Sequence, residues 1–200
     1  MTSVPGDIAL DFSLDSVLDG KVESISLSSM KDKYVVLMFY PVDFGYVTPT
    51  EFYSLEPLLE KFSSLNCSLL AISTEHIPSQ IKYQAAPMME AGLTFMCVRL
   101  ASAPVGEVAK KYGVYEMEEN ICFRALFIID PKAKIVTIEK CDFPIGCSME
   151  EQLRQVLAAI FVEAKSKGAS LTTGRRGSPS SWLGLGLGIS KLVYYKLKYK

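Results

Sequence analysis

With 21 basic and 22 acidic side chains, this 200-residue chain carries a net charge of −1. That leaves no field to draw it toward nucleic acid or an anionic membrane. Its composition, 49% hydrophobic and 22% charged, is that of a globular chain long enough to bury a core without disulfides. The five cysteines (Cys67, Cys97, Cys122, Cys141 and Cys147) are odd in number and irregularly spaced. This speaks against a secreted disulfide framework and for a reducing, cytoplasmic setting. The first residues, MTSVPGDIALDF, show no basic stretch followed by an apolar run, so no signal peptide is expected. No apolar stretch of about 18 residues occurs, so no spanning helix is expected either.

Residues 1–33 read as turn-rich, punctuated by Val4-Pro5-Gly6 and Asp19-Gly20. Residues 34–40 are a near-continuous apolar run stopped by Pro41, the pattern of a strand buried on both faces. From 49 to 63 the residues Phe52, Leu55, Leu58, Leu59 and Phe62 recur at helical spacing. Thr48 is expected to cap that helix, with Glu51 completing a capping box. Residues 67–73 form a second predicted strand. A helix at 79–90, broken near Pro87, a strand at 93–100 and a short helix at 105–112 follow. Strands are predicted at 123–130 and 134–139. A last helix begins at Ser148, with Glu150 and Glu151 in its first turn, where negative charge suits the dipole. Alternating strands and helices predict an α/β fold around a mixed sheet. Residues 165–181 are polar, glycine- and serine-rich and basic, as a flexible linker is. Residues 182–200 alternate apolar residues with glycine and then place lysines among Leu and Tyr. This tail reads as unrelated to the core, or as an aromatic, basic segment suited to an anionic membrane surface or a partner protein. The domain boundary is therefore expected between 164 and 165.

The segment at 34–51, YVVLMFYPVDFGYVTPTE, resembles the active-site strand and loop of the peroxiredoxins, in particular the typical two-cysteine (AhpC-type) class. In that family the loop reads Pro-x-x-x-Thr/Ser-x-x-Cys and continues Pro-Thr-Glu. Further matches run in order from about Pro5 to about Phe161. They include the opening at Gly6, Tyr112-Gly113-Val114, the strand FRALFIID and the stretch DFPIGCSMEE. The resemblance implies a thioredoxin-like fold, a central mixed β-sheet flanked by helices, with peroxiredoxin-type insertions. It also implies a thioredoxin-dependent peroxidase of the antioxidant kind, without metal or other cofactor, that pairs edge strands into homodimers or assembles with other peroxiredoxins. The strand at 134–139 matches the family's dimer edge.

The family's reaction needs a thiolate nucleophile, a threonine and backbone N–H groups for the peroxide oxygens, an arginine, and a resolving cysteine near the C-terminus. Pro41 and Arg124 match the pattern. Gly45 stands at the peroxide-binding threonine, Thr48 at the peroxidatic cysteine, and Cys147 at a second arginine. No cysteine follows Cys147. A threonine hydroxyl at a helix start needs a strong adjacent base to act as a nucleophile. The main expectation is thus a non-catalytic binding or oligomer-forming member of the family. The alternative is residual peroxidase activity through another thiol such as Cys147. Arg124 reads equally as an anion-binding group and as a structural ion pair, with Glu51 as its candidate partner. Cys67, Cys97 and Cys122 read as core, and the sole histidine, His76, as a loop residue. Cys141 and Cys147 could meet across a turn, but their spacing without a nearby histidine is a poor metal signal.

Overall fold

The computed structural model describes residues 3–94 and 97–165. The chain divides into two compact units, one ending at Leu153 and the other beginning at Arg154. In the first unit a seven-stranded mixed sheet is built from β1 (Ser13–Leu18), β2 (Lys21–Ser26), β3 (Tyr34–Phe39), β4 (Cys67–Ser73), β5 (Arg99–Ser102), β8 (Arg124–Ile129) and β9 (Ile135–Cys141). Its order is β2-β1-β5-β4-β3-β8-β9. A separate two-stranded ribbon pairs β6 (Tyr115–Glu116) with β7 (Ile121–Cys122). The helices are α1 (Thr48–Leu55), α2 (Leu59–Ser64), α3 (Ile77–Ala85), α4 (Glu107–Tyr112) and α5 (Met149–Lys165), the last running on into the second unit. No helix among the described residues is long and apolar enough to cross a membrane.

The centre of the sheet follows directly from composition. Every residue of β3 and of β8 is buried, as continuous apolar runs require when both faces are covered. Strand β3 lies parallel to β4 and antiparallel to β8. Phe39, Tyr112 and Phe127 pack edge-on or tilted with ring centroids 5.1–5.6 Å apart. The helical pattern expected at 49–63 forms, but Pro57 divides it into α1, a short 3-10 turn and α2, because a proline cannot complete the ladder there. Pro87 ends α3 by forcing Ala86 into extended backbone.

Three expectations are corrected. Residues 1–33 hold the β1/β2 hairpin, whose Asp19-Gly20 turn takes positive φ at both positions, 50° and 73°. The strand expected at 93–100 forms only as Arg99–Ser102. Leu93 is buried, but its N–H serves the Tyr83 carbonyl in a loop. Cys97 is exposed and outside any strand, not core. Of the expected linker and tail at 165–200, Lys165 is the last residue of α5, and residues 166–200 lie outside the described residues.

Two glycines with positive φ separate backbone strain from crowding. Gly20, at +73°, has nothing near its absent Cβ, whereas a Cβ on Gly106, at +66°, would sit 2.2 Å from the Tyr115 ring. Gly20→Ala is expected to lower stability by about 1–2 kcal/mol, the left-handed penalty alone. Gly106→Ala is expected to cost about 1–3 kcal/mol more, because the ring must move as well. Urea midpoints of the two variants against the parent chain check this.

Candidate functional site

The β3–α1 loop opens where β3 runs into Tyr40 and the buried Pro41. Tyr40 donates to Asp43 Oδ1 at 2.9 Å, and Ser79 Oγ donates to Asp43 Oδ2 at 2.7 Å. Phe44, with φ at 57°, lays its ring 4.9 Å from that of Tyr83. A Cβ on Gly45 would sit 3.1 Å from Val42 Cγ2 and 3.8 Å from Thr48 Oγ1, so Gly45 adjoins the Thr48 hydroxyl. The loop is thereby tied to α3 on one side and to the start of α1 on the other.

Thr48 does not cap α1. Val47 is the cap residue and makes no side-chain capping bond, while Thr48 is the first helical residue. The expected capping box fails because Glu51 is engaged elsewhere. Its Oε2 pairs with Arg124 Nη1, and its Oε1 accepts the Cys147 N–H at 2.7 Å. Arg124 Nη1 also reaches Thr48 Oγ1 at 3.5 Å, and Nη2 donates to the Phe143 carbonyl at 3.2 Å. Of the Arg124 guanidinium nitrogens only Nε, which is buried, has no partner among the described residues. All four side chains are buried: Thr48 1%, Glu51 3%, Arg124 4% and Cys147 5% exposed. The ion pair of Arg124 with Glu51, one of its two readings, is present. Burial pushes the Glu51 carboxyl above its ordinary value, while the Cys147 N–H and Arg124 pull it back.

Behind this pair lies a cluster of thiols. Cys147 Sγ donates to Cys141 Sγ at 3.0 Å, and Cys141 Sγ faces Glu139 Oε1 at 3.8 Å. Gln152 Nε2 holds the other oxygen of Glu139. The donor atoms of Glu139, Cys141 and Cys147 lie within 4.8 Å of one another, a three-donor set of the type that binds zinc. Cys147 is held as a thiol. Burial raises it most, and the neighbouring Cys141, Glu51 and Glu139 all raise it further. Cys67 and Cys122 are buried and pushed up to about 12 by burial, which makes them inert. His76 is exposed at the N-cap of α3.

Two participants escaped the sequence reading. Glu139 precedes Cys141 by two residues on one strand, which puts both on one face, a signal available at period two. Asp43 gave no signal, because its burial depends on Tyr40 and Ser79 from separate elements.

Residues 5–138 match the AhpC/TSA family model. The chain belongs to the AhpC/TSA family, the peroxiredoxins. It is 39% identical over 158 residues to peroxiredoxin prdx-2 of Caenorhabditis elegans, covering 79% of each chain. It is 38% identical over 159 residues to peroxiredoxin-1 of Gekko japonicus, covering 79% of this chain and 80% of that protein. Among solved structures, Enterococcus faecalis AhpC superposes with a TM-score of 0.79 at 25% identity, over 86% of this chain and 100% of that one. A reduced two-cysteine peroxiredoxin of Plasmodium vivax superposes with a TM-score of 0.80 at 24% identity, over 96% and 99%. The thioredoxin-like architecture of the peroxiredoxins, with its mixed sheet flanked by helices, is thus the fold of this chain.

Two predictions come from the buried charges of this peroxiredoxin. Removing either partner of the Arg124–Glu51 pair leaves the other charge buried alone, so Glu51→Gln and Arg124→Met are each expected to cost about 3–5 kcal/mol. The double variant should cost clearly less than their sum, which a double-mutant cycle by urea unfolding measures. Burial raises the Asp43 carboxyl to about 6, against the lowering effect of its Ser79 and Tyr40 donors. The folded chain therefore binds this proton more tightly than the unfolded one. The contribution of Asp43 to stability is greatest below about pH 4 and falls as pH rises through 6. Compared with Asp43→Asn, the parent chain should lose on the order of 2–3 kcal/mol between pH 4 and pH 7, read from urea midpoints at the two values.

Proposed function

We propose that this peroxiredoxin-family chain does not reduce peroxide at Thr48 and works as a non-catalytic binding or oligomer-forming protein, with the cytoplasm as its compartment. In this reading Thr48 occupies the peroxidatic position and Gly45 the peroxide-binding threonine's. The supporting observation is that the side chain within hydrogen-bond reach of the Thr48 hydroxyl is the guanidinium of Arg124, itself paired with Glu51. A hydroxyl nucleophile needs a base that takes its proton, and a guanidinium, always charged, accepts none. Strand β9 supports the assembly half of the reading. It is one edge of the sheet, and Val136, Thr137 and Ile138 along it are only half-buried. Such a β-branched edge is suited to pairing with a second copy or with another peroxiredoxin.

A second reading is a thioredoxin-dependent peroxide reductase working through Cys147. Membership of the family favours it, and so does the place of Cys147 on the same Glu51 that pairs with Arg124. The raised thiol of Cys147 weighs against it.

One experiment separates the two. Hydrogen peroxide consumption is measured with excess dithiothreitol for the full chain and for Cys147→Ser, and both proteins are sedimented beside Val136→Lys. The first reading expects consumption at the buffer rate in both proteins and a parent oligomer that Val136→Lys dissociates to monomer. Consumption that disappears in Cys147→Ser establishes the second reading, and a parent chain that sediments as a monomer removes the assembly half of the first.

A further inference from the structure

We propose that Cys141 and Cys147 form a redox-active dithiol that accepts oxidising equivalents from small disulfides and closes to an intramolecular disulfide. Their sulfurs stand 3.0 Å apart, inside the roughly 3.5–4.0 Å of ordinary nonbonded contact between carbon atoms. Each is held by backbone that is itself fixed. Cys141 ends β9 in register with Arg124. Cys147 is pinned through its N–H to Glu51. The intervening segment turns tightly, with the Ile145 N–H on the Asp142 carbonyl at 2.9 Å. Gly146 lets that segment approach α1, where a Cβ would lie 3.3 Å from Val47 Cγ1.

Chemistry then assigns the order of events. Cys141 is the accessible member, half-buried beside the exposed residues Asp142, Pro144, Ile145 and Gly146, whereas Cys147 is buried. Cys141 Sγ, which donates to Glu139 Oε1 at 3.8 Å, is the sulfur an incoming disulfide reaches first. The Cys141 thiolate attacks one sulfur of the incoming disulfide, a new S–S bond forms, and one thiolate of the substrate leaves. Cys147 then gives up its proton, and its thiolate attacks the Cys141 sulfur and expels the second thiolate of the substrate, which takes up a proton. The protein loses two electrons and two protons, and the small disulfide becomes two thiols. Metal binding is the competing use of the same atoms. Tetrahedral zinc with bonds of about 2.3 Å holds its thiolates roughly 3.7 Å apart, wider than this pair stands.

Oxidised glutathione is the probe. The full chain, reduced and kept free of oxygen and metal, is incubated with an excess of it, then acid-quenched, alkylated and cut with trypsin. Cleavage after Lys140 and Arg154 yields peptide 141–154, which carries both cysteines. The expected product is that peptide two hydrogens lighter, with neither glutathione nor alkyl group. In Cys147→Ser the peptide should keep one glutathione on Cys141, and in Cys141→Ser it should keep none. The exposed Cys97 reports reagent access in every sample. Glutathione retained on the parent peptide, or two alkylated cysteines there while Cys97 is modified, overturns the proposal. The parent chain decides it alone should a serine variant fail to fold. No peroxide is present, so the result is independent of the peroxide measurement above.

Discussion

The arrangement at this site depends on one buried ion pair. Arg124 opens the interior strand β8, and Glu51 lies in the first turn of α1. Neither charge can be buried alone without losing more hydration energy than packing returns. Once Arg124 enters the sheet, α1 must present Glu51 to it. The loop after β9 must then bring the Phe143 carbonyl and the Cys147 N–H to the charges that remain. Three segments distant in sequence are thus held by groups that have few other ways to be satisfied. Arg124 Nε, the one donor left over, shows how fully the pair absorbs the rest.

That constraint explains which parts of the fold could be read from sequence. Strands β3 and β8 carry continuous apolar runs, and their burial follows from composition alone. The first hairpin was legible in principle, with Asp19-Gly20 as a mirror-image turn signal. It was obscured because the buried Ser16 breaks the apolar alternation. Its hydroxyl is satisfied by the Glu23 carbonyl across the hairpin, which is not visible along one strand. At the other end of β5 the apolar composition of 93–98 suggested too long a strand. Burial of Leu93 and Val98 is achieved by loop packing instead.

The site itself divides the same way. The resemblance to the peroxiredoxin loop brought Pro41, Gly45, Thr48 and Arg124 into view, and the structure places Gly45, Thr48 and Arg124 together. The capping box failed for a reason no local rule contains. Thr48 and Glu51 have the right spacing, but a full charge opposite Glu51 outweighs one backbone N–H near it. The meeting of Cys141 with Cys147 was an open possibility in the sequence. What decides it is the Glu51 anchor on one backbone and the β8–β9 register on the other, both of them long-range.

The same electrostatics sorts the chemistry open to each sulfur. A thiolate is favoured where a cation or helix N-terminus lacks a negative partner. Here the cation is matched by Glu51, and Glu139 adds a second carboxylate on the far side of the thiols. Cys147 therefore faces an excess of negative charge and stays protonated. That disfavours direct attack on a peroxide bond, which needs the thiolate at the first encounter. Exchange between sulfurs makes a different demand on Cys147. The thiolate is still required, but once Cys141 is in a mixed disulfide its own contribution to raising Cys147 is gone, and the target sulfur is already in contact. A buried thiol beside a more accessible one is poorly placed to begin an oxidation, and contact with its target sulfur places it to complete one.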